Sequence, residues 1–435
     1  MALNYPPFIE WEVTPSCNHN CIHCYNYWRS DEALARDQKF DCETDSKYYC
    51  KIAMEIVKSK PVAVAITGGE PLLVFDKIRE AIDILLNAGI TVTVNSNATL
   101  MTSDKINFFS KRGINFFVSL PCANAVLCDK ITGVHDSLKR ITKAVLDMKQ
   151  GGINVSTNTV VSKINLPYLY MTGQYVHDVL SQSYFCATRA CLPANSKEAF
   201  KGQVLNKQEF IEMLSTLIRI KEEYNMKIDS ARAYSLCSFG SSEIISEFAG
   251  KRQCAGGKFS FVVTSKGDIK ACAMDLKSYG NILEEPFGIA ISRMTEWQQS
   301  MTLPNECHTC RFNRICNGGC RIDALSTYGE FSHLDPLSDP NFVDKIEFSA
   351  ETKDFNIDHD QQFSLASGLV VVQEDKCIRV SKQDRYQFIN AKAYQTISEM
   401  GIFGLETFLN KFQLDRDSGL HILWSLLTAG ILVSC

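Results

Sequence analysis

The chain contains 435 residues, with 45 Lys and Arg against 49 Asp and Glu, and 45% of its residues are apolar. A chain of this length and composition predicts two or three domains with substantial cores. Its formal charge of -4 argues against a broad surface for nucleic acid or membrane, since either partner favours a strongly basic face.

The 18 cysteines are the unusual feature of this composition. They are too sparse for a small disulfide scaffold and too many for a chain that uses cysteine only to fill its core. Residues Met1–Pro7 lack the charged and apolar regions of a secretory signal, so we expect a cytoplasmic protein with reduced thiols. In that compartment, clustered cysteines indicate metal sites more often than disulfides.

Strand-like and helix-like segments alternate through the first half of the chain. Such repetition predicts an α/β fold with a parallel sheet, closed into a full or partial β/α barrel. In a barrel of this kind, functional residues lie at the carboxyl ends of the strands. The predicted strands are 8–13, 62–67, 91–95, 115–120 and 154–161, and the predicted helices are 46–58, 78–87, 105–111, 137–149 and 166–180.

Three cysteines follow the first predicted strand at the spacing Cys17-x3-Cys21-x2-Cys24. Thiolates this close in sequence can converge from one loop on a metal centre. Three ligands would leave one iron of a 4Fe-4S cluster open to a non-protein ligand, whereas a structural zinc ion would need a fourth side chain. His19 and His23 lie within the loop and could supply that fourth ligand, so zinc is the alternative for the loop considered alone.

Other polar motifs follow the later predicted strands in the same manner. The segment Gly68-Gly69-Glu70-Pro71 follows the second strand, and its two glycines allow a ligand to approach the backbone closely. Each motif alone is more typical of a turn or a helix cap. Their shared position at one edge of the sheet favours a common binding site. The remaining motifs are Asn97 after the third strand, Ser119 at the end of the fourth and Asn158 in the fifth.

The loop Cys17–Tyr25, followed by Thr67–Pro71, resembles the radical S-adenosylmethionine (SAM) superfamily, and the resemblance covers residues 1–235. It implies a partial (β/α)6 barrel in which Cys17, Cys21 and Cys24 hold a 4Fe-4S cluster whose open iron binds the amino and carboxylate groups of SAM. It further implies that Gly68, Gly69, Glu70 and Pro71 line the methionine amino group, that Asn97 belongs to the same site, and that Ser119 and Asn158 contact the ribose and carboxylate side. Relatives often carry Asp two residues after this Ser, and here that position is Pro121.

Residues 236–340 hold a second cysteine pattern, Cys254-x12-Gly267-x4-Cys272 followed by Cys307-x2-Cys310-x5-Cys316-x3-Cys320. The pattern resembles the SPASM extension of radical SAM enzymes, which carries auxiliary iron-sulfur clusters. A zinc ribbon is the alternative, but it would use only the last four cysteines and leave the first two unexplained. The resemblance implies that Cys254, Cys272 and Cys320 share auxiliary cluster I and that Cys307, Cys310 and Cys316 share auxiliary cluster II.

Each auxiliary cluster lacks one ligand in this assignment. The family pattern closes with a further cysteine, and this chain has Ser338 at the expected position. Asp339 or Asp335 could provide an oxygen ligand, distant Cys377 could fold back, or the cluster could keep an open iron. We favour Asp339 for auxiliary cluster II, because hard oxygen donors also bind iron. For auxiliary cluster I the alternatives are Cys237, Cys191 or an open iron.

The last part of the chain predicts an acidic linker over 341–363 and a small winged-helix domain over 364–435. Residues 369–435 carry seven basic and seven acidic residues, a balance that argues against DNA binding. The domain resembles the peptide-recognition winged helix of ribosomal-peptide maturation systems, which captures a leader peptide at a sheet edge. A packing module that caps the middle domain is the alternative. Its predicted strands are 368–373, 376–381 and 386–390, and its predicted helices are 391–400, 405–412 and 418–429.

These resemblances together predict a radical SAM peptide maturase, an oxidoreductase that abstracts hydrogen from a ribosomally made precursor peptide and installs a carbon-carbon or thioether crosslink. Its expected cofactors are SAM and three 4Fe-4S clusters, and its expected partners are a precursor peptide with a leader and an electron donor such as flavodoxin or ferredoxin. Asp275 is the candidate proton acceptor, with an exposed turn residue as the alternative. The competing functions are a sulfatase-maturing, formylglycine-forming enzyme, a peptide epimerase, and a non-catalytic iron-sulfur or zinc scaffold.

Overall fold

The computed structural model describes residues 4–24, 45–192, 202–248, 253–298, 303–346, 357, 360–374 and 377–435. Residues 347–356 and 358–359 of the predicted acidic linker lie outside this set. The described chain forms one sheet of ten strands and two sheets of three strands. No helix within these residues is long and apolar enough to cross a lipid bilayer.

Parallel strands and intervening helices build the first domain, which confirms the predicted partial barrel. Seven strands pair in parallel and in chain order. They are β1 (Phe8–Thr14), β2 (Ala63–Gly68), β3 (Thr91–Ser96), β4 (Asn115–Ser119), β5 (Val155–Val161), β6 (Tyr184–Arg189) and β7 (Lys227–Asp229). The helices are α1 (Ser46–Lys58), α2 (Phe75–Asn87), α3 (Ser103–Ser110), α4 (Ala125–Thr132), α5 (Ser137–Gln150), α6 (Leu169–Asp178) and α7 (Lys207–Tyr224). The structure adds β6, β7, α4 and α7 to the predicted elements.

Strand β1 shows how the sequence separates the two faces of this sheet. Its alternate residues Ile9, Trp11 and Val13 are fully buried, and the Trp11 ring lies 6.3 Å from the ring of Tyr49 on α1. Because successive side chains of a strand point to opposite faces, Glu10 and Glu12 point away from α1 and into the barrel.

The second domain extends the barrel sheet beyond β1. Strand β8 (Ser260–Val263) pairs in parallel with β1, and β9 (Asp268–Lys270) and β10 (Gly280–Asn281) follow in antiparallel order. A buried ion pair between Arg189 and Asp323 also joins the two domains. The helices of this domain are α8 (Ser242–Phe248), α9 (Phe287–Ser292), α10 (Thr295–Gln298), α11 (Asn305–His308), α12 (Asn313–Cys316) and α13 (Arg321–Tyr328).

The C-terminal domain has its own hydrophobic core, which includes Phe363, Phe403 and Phe408. Its strands are β11 (Gln362–Leu365), β12 (Val370–Gln373), β13 (Ile378–Lys382), β14 (Arg385–Ile389), β15 (Phe403–Gly404) and β16 (Leu432–Ser434). They form two sheets with the orders β15-β11-β16 and β12-β13-β14. Its helices are α14 (Ala391–Met400), α15 (Leu405–Phe412) and α16 (Arg416–Thr428), close to the three predicted ranges.

Contacts fix the C-terminal domain against the amino end of the barrel strands. The backbone N–H of Asn4, just before β1, donates to Glu374 Oε2 at 2.9 Å. Arg379 donates to the carbonyl oxygen of Lys60, just before β2. The ring of Phe388 lies 5.8 Å from that of Phe259, just before β8. The domain therefore docks at the end of the barrel opposite the Cys17 loop, which follows the carboxyl end of β1.

Candidate functional site

The loop that carries Cys17, Cys21 and Cys24 is docked on the end of helix α4. The backbone N–H groups of Asn20 and Ile22 donate to the carbonyl oxygens of Thr132 and Ile131 at 2.8 and 3.0 Å. The three thiols are half-buried and are in no disulfide. The loop is thus held in place by backbone hydrogen bonds, while its thiols stay accessible to a cofactor.

A side-chain network from the carboxyl end of β3 holds the same loop from another side. Asn97 Nδ2 donates to Asn18 Oδ1 at 2.8 Å and lies 3.8 Å from Cys17 Sγ. Asn18 Nδ2 in turn donates to Thr99 Oγ1 at 2.9 Å. Asn97, predicted as a residue of the SAM site, therefore contacts the cysteine loop directly.

The two histidines of the loop have different surroundings. The His19 Nε2 atom lies 3.5 Å from Thr99 Oγ1, and burial lowers the pKa of His23 to about 4. Among the described residues, no three His, Cys, Asp or Glu side chains are placed to hold a single metal ion. The thiolates of a 4Fe-4S cluster each bind a different iron and need not converge on one point, so three thiols with a free fourth position fit the cluster.

The glycines after β2 permit a close contact between two backbones. Gly68 has a φ of 137°, and a Cβ atom there would lie 2.3 Å from the carbonyl oxygen of Thr14. A Cβ atom on Gly69 would lie 1.9 Å from the carbonyl oxygen of Ser16. The backbone N–H groups of Gly69 and Glu70 donate to these same oxygens at 2.6 and 2.8 Å. The glycine pair therefore anchors the start of the cysteine loop.

Glu70 is fully buried and links the ends of β2 and β3. Its carboxylate accepts hydrogen bonds from the backbone N–H groups of Leu72 and Asn97, at 3.0 and 2.8 Å, and from Ser96 Oγ at 2.7 Å. Burial raises the pKa of Glu70, and these three donors oppose that effect. The Glu70 side chain thus holds the ends of β2 and β3 together through hydrogen bonds. Pro71 begins a 3-10 turn that ends at Val74.

Ser119 and Asn158 are paired neighbours on β4 and β5, so both side chains point to the same face of the sheet. Ser119 is exposed, whereas Asn158 Oδ1 accepts a hydrogen bond from Thr188 Oγ1 at 2.9 Å. The carbonyl oxygen of Pro121 accepts from Asn165 Nδ2 at 2.8 Å. The roles of Ser119 and Asn158 toward the ribose stay predictions.

Two acidic residues inside the barrel, Glu10 and Glu12, were not identified from the sequence. Glu12 is 1% exposed, and its two carboxyl oxygens have no hydrogen-bond partner among the described residues. Burial raises the pKa of Glu12 to about 8, the charge of Lys270 opposes this rise, and that of Glu10 adds to it. Alternating acidic residues in an otherwise apolar first strand were the signal that could have revealed them.

Cys272 and Cys320, two predicted ligands of auxiliary cluster I, both lie within electrostatic reach of the thiol of Cys254, the third predicted ligand. Burial raises the pKa of Cys272 to about 12, and the thiol of Cys254 contributes to the rise. Burial also raises the pKa of Cys320 strongly, the guanidinium of Arg232 opposes it, and the thiols of Cys254 and Cys191 add to it. Arg232 Nη2 lies 2.9 Å from Cys320 Sγ, so a permanent cation adjoins this site.

Cys307, Cys310 and Cys316 form a second set. Burial raises the pKa of Cys307 to about 12, and the thiols of Cys316 and Cys310 contribute to it. Binding of iron would offset this unfavourable burial, since a metal stabilises the thiolate form.

The predicted aspartates have other partners. Asp339 Oδ2 accepts from Lys207 Nζ at 2.7 Å, and Asp335 accepts from the backbone N–H groups of Cys320 and Leu337 at 2.9 and 3.0 Å. Asp275 is 5% exposed, so it is no exposed turn residue. Its carboxylate accepts from the backbone N–H of Lys277 at 3.0 Å and from the Tyr279 hydroxyl at 3.4 Å.

Residues 11–168 match the sequence model of the Radical SAM superfamily. This part of the chain is therefore a radical SAM domain, and enzymes of that superfamily use a 4Fe-4S cluster and SAM. This assignment agrees with the three half-buried thiols at the carboxyl end of β1 and with the backbone packing beside them.

Two relatives and one solved structure extend the similarity beyond the barrel. An AdoMet-dependent heme synthase of Oleidesulfovibrio alaskensis is 23% identical over 345 residues, which are 76% of this chain and 86% of the relative. The antilisterial bacteriocin subtilosin biosynthesis protein AlbA of Bacillus subtilis is 24% identical over 340 residues, 74% of this chain and 68% of the relative. The structure of Streptococcus suis SuiB bound to SAM has a TM-score of 0.60 at 16% identity and covers 76% of both chains.

Proposed function

We propose that this enzyme matures a ribosomally made precursor peptide and installs an intramolecular carbon-carbon or thioether crosslink in it. The observation that carries this proposal is the C-terminal domain, which has its own core and a sheet edge that no described strand covers. The names of similar proteins support a peptide substrate, because AlbA is a bacteriocin biosynthesis protein and SuiB has been solved bound to its precursor peptide SuiA.

Strand β12 is the proposed place of peptide capture. It pairs with β13 along one edge, and no described strand pairs with its other edge. Val370 and Val371 on this strand are 58% and 45% exposed. The opposite edge strand β14 is engaged, since Gln387 donates to Ser425 Oγ at 2.9 Å and Phe388 packs on Phe259. An extended leader peptide could therefore add to β12 through backbone hydrogen bonds and cover the two valines.

In the first domain, Cys17, Cys21 and Cys24 would hold the cluster, and the segment Gly68–Pro71 would border SAM. When SAM is bound to the cluster, it supplies the radical that abstracts hydrogen from an unactivated carbon. The barrel residues orient the peptide and exclude water. Asp275 was predicted to accept the proton that crosslinking releases. Glu12, whose carboxyl oxygens have no described partner, also lies on the inner face of β1 and could hydrogen-bond a substrate in its protonated form.

A small tetrapyrrole is the competing substrate, because relatives named AdoMet-dependent heme synthases match three quarters of the chain. Sulfatase maturation and peptide epimerisation use the same barrel chemistry and remain competing reactions on a protein or peptide. Neither tetrapyrrole chemistry nor sulfatase maturation explains the presence of the C-terminal domain, whereas capture of a leader peptide does.

Two substitutions to glutamate on β12 test leader capture without removing the domain. If a precursor peptide is found encoded beside the gene, the variant Val370→Glu with Val371→Glu should weaken its binding by at least about tenfold, because the variant adds two charges to the covered surface. The control Ile402→Glu changes an equally exposed apolar residue of the same domain, 62% exposed. Reductive SAM cleavage should be equal in both variants. Equal peptide affinity in both would contradict leader capture at β12.

Mass spectrometry of the peptide product separates the reactions. Crosslinking removes two hydrogens from the peptide, whereas epimerisation leaves the mass unchanged and introduces solvent deuterium. Turnover of a tetrapyrrole with no change to the peptide would favour the heme-synthase alternative.

A further inference from the structure

The short 3-10 turn Leu236–Ser238 packs against the cysteines of auxiliary cluster II. The backbone N–H of Leu236 donates to Cys316 Sγ at 3.3 Å. The thiol of Cys237, in the same turn, lies within electrostatic reach of the thiols of Cys307 and Cys316. A fourth cysteine therefore lies beside the three that the family pattern supplies.

The same turn also contacts the position where the family pattern expects a thiol. Ser338 Oγ donates to Ser235 Oγ at 2.8 Å, two residues before Cys237. The turn that carries Cys237 thus touches Ser338 at one point and Cys316 at another. A thiol from this turn can take the ligand position that Ser338 leaves.

The alternative ligands are engaged elsewhere. Asp339 pairs with Lys207 at 2.7 Å and is 40% exposed, so solvent and a cation already stabilise its charge. Asp335 holds the backbone N–H groups of Cys320 and Leu337. Cys377 directly precedes β13, in the domain that docks at the amino end of the barrel strands.

We infer that Cys237 is the fourth ligand of auxiliary cluster II and replaces the thiol that is absent at Ser338. Sulfur is also the softer donor and suits iron-sulfur clusters better than the carboxylate of Asp339. Four thiolates leave no open iron, so this cluster passes electrons and does not bind substrate. The inference concerns the cofactor and does not depend on the peptide substrate proposed above.

Iron content and electron paramagnetic resonance test this ligand. A background variant with alanine at Cys17, Cys21 and Cys24 leaves only the auxiliary clusters after anaerobic reconstitution. Adding Cys237→Ala should lower its iron content by up to about half, or convert one four-iron signal into a three-iron signal, because one cluster loses a ligand. The control Cys50→Ala removes a half-buried thiol of α1 that lies in neither cysteine set.

Adding Ser338→Cys to Cys237→Ala should restore iron and signal, since it returns a thiol to the family position. The inference would be overturned if the Cys237→Ala and Cys50→Ala variants had equal iron content and equal electron paramagnetic resonance spectra. A background variant that binds no iron would also overturn it, by removing the auxiliary clusters themselves.

Alkylation of the native enzyme gives a measurement that does not depend on the folding of a variant. In the iron-loaded wild-type protein, Cys237 should react with iodoacetamide at least about tenfold more slowly than after iron removal, because a ligated thiolate is blocked. Cys50 should react equally in both states. Equal reaction of Cys237 with and without iron would refute its role as a ligand.

Discussion

Glu12 offers a sharp test of the barrel interior. Its pKa of about 8 in the folded chain exceeds the ordinary value of 4.5, because burial disfavours the charged form. The folded state therefore holds a proton that the unfolded state releases, so stability falls as pH rises from 4.5 to 8. At pH 7 this penalty amounts to about 3 kcal/mol, from about 1.4 kcal/mol for each pKa unit by which the pH exceeds 4.5.

Glu12→Gln removes the ionisable group and keeps the shape of the side chain. We expect the variant to be more stable than wild type above pH 7 and nearly equal to it at pH 4.5, where Glu12 is protonated in the folded state and about half protonated in the unfolded state. Denaturant unfolding of the iron-free chain across this range measures the difference. Glu222→Gln, on the exposed face of α7, is the control, and its stability should follow that of wild type at every pH.

Infrared difference spectroscopy between pH 6.5 and 9 reports the same proton directly. Wild type should lose the band of a protonated carboxyl group over this interval, and Glu12→Gln should lack that part of the change. Lys270 and Glu10 are the charged groups that act on Glu12, with opposite effects on its pKa. The reasoning is refuted if Glu12→Gln and wild type show the same pH dependence of stability and the same infrared change.

Three further outcomes follow from the described contacts. Gly69→Ala should abolish iron binding at the Cys17 loop, because its Cβ would lie 1.9 Å from the carbonyl oxygen of Ser16. The control is Gly202→Ala, where a Cβ atom would have no other atom within 4 Å. Equal iron content in the two variants would contradict this prediction. Asp323→Asn should destabilise the enzyme by about 3 to 5 kcal/mol, because it leaves the buried charge of Arg189 without its partner, and an unchanged melting temperature would contradict it. Iron removal should lower the melting temperature of wild type, since clusters bind only the folded chain, and equal melting curves would contradict it.

Much of the barrel could be predicted because its periodicity is local. The apolar alternation of β1 and the strand-helix repeats after it gave boundaries close to the observed ones. The pairing of β8 with β1 could not be predicted, since it joins residues about 250 positions apart and no local pattern encodes such a contact.

The residues of the candidate site also divide into those that local sequence patterns predict and those that depend on long-range contacts. The cysteine motifs and Gly68–Pro71 are contiguous in sequence, so their chemistry could be predicted from residue type and spacing. The inward direction of Glu70 depends on Ser96 and Asn97, which lie at the end of another strand and directly after it. The place of Cys237 beside Cys316 likewise depends on a contact across 80 residues, which spacing alone does not reveal.

The docking of the C-terminal domain at the amino end of β1 sets a length requirement on a peptide substrate. Strand β1 has seven residues, which at about 3.3 Å each separate its two ends by about 23 Å. A leader held on β12 must therefore be followed by a spacer of at least about seven extended residues before the modified residue can reach the Cys17 loop. Shortening this spacer in steps should leave binding intact and stop the reaction at a definite length, so the enzyme would measure its substrate as well as recognise it.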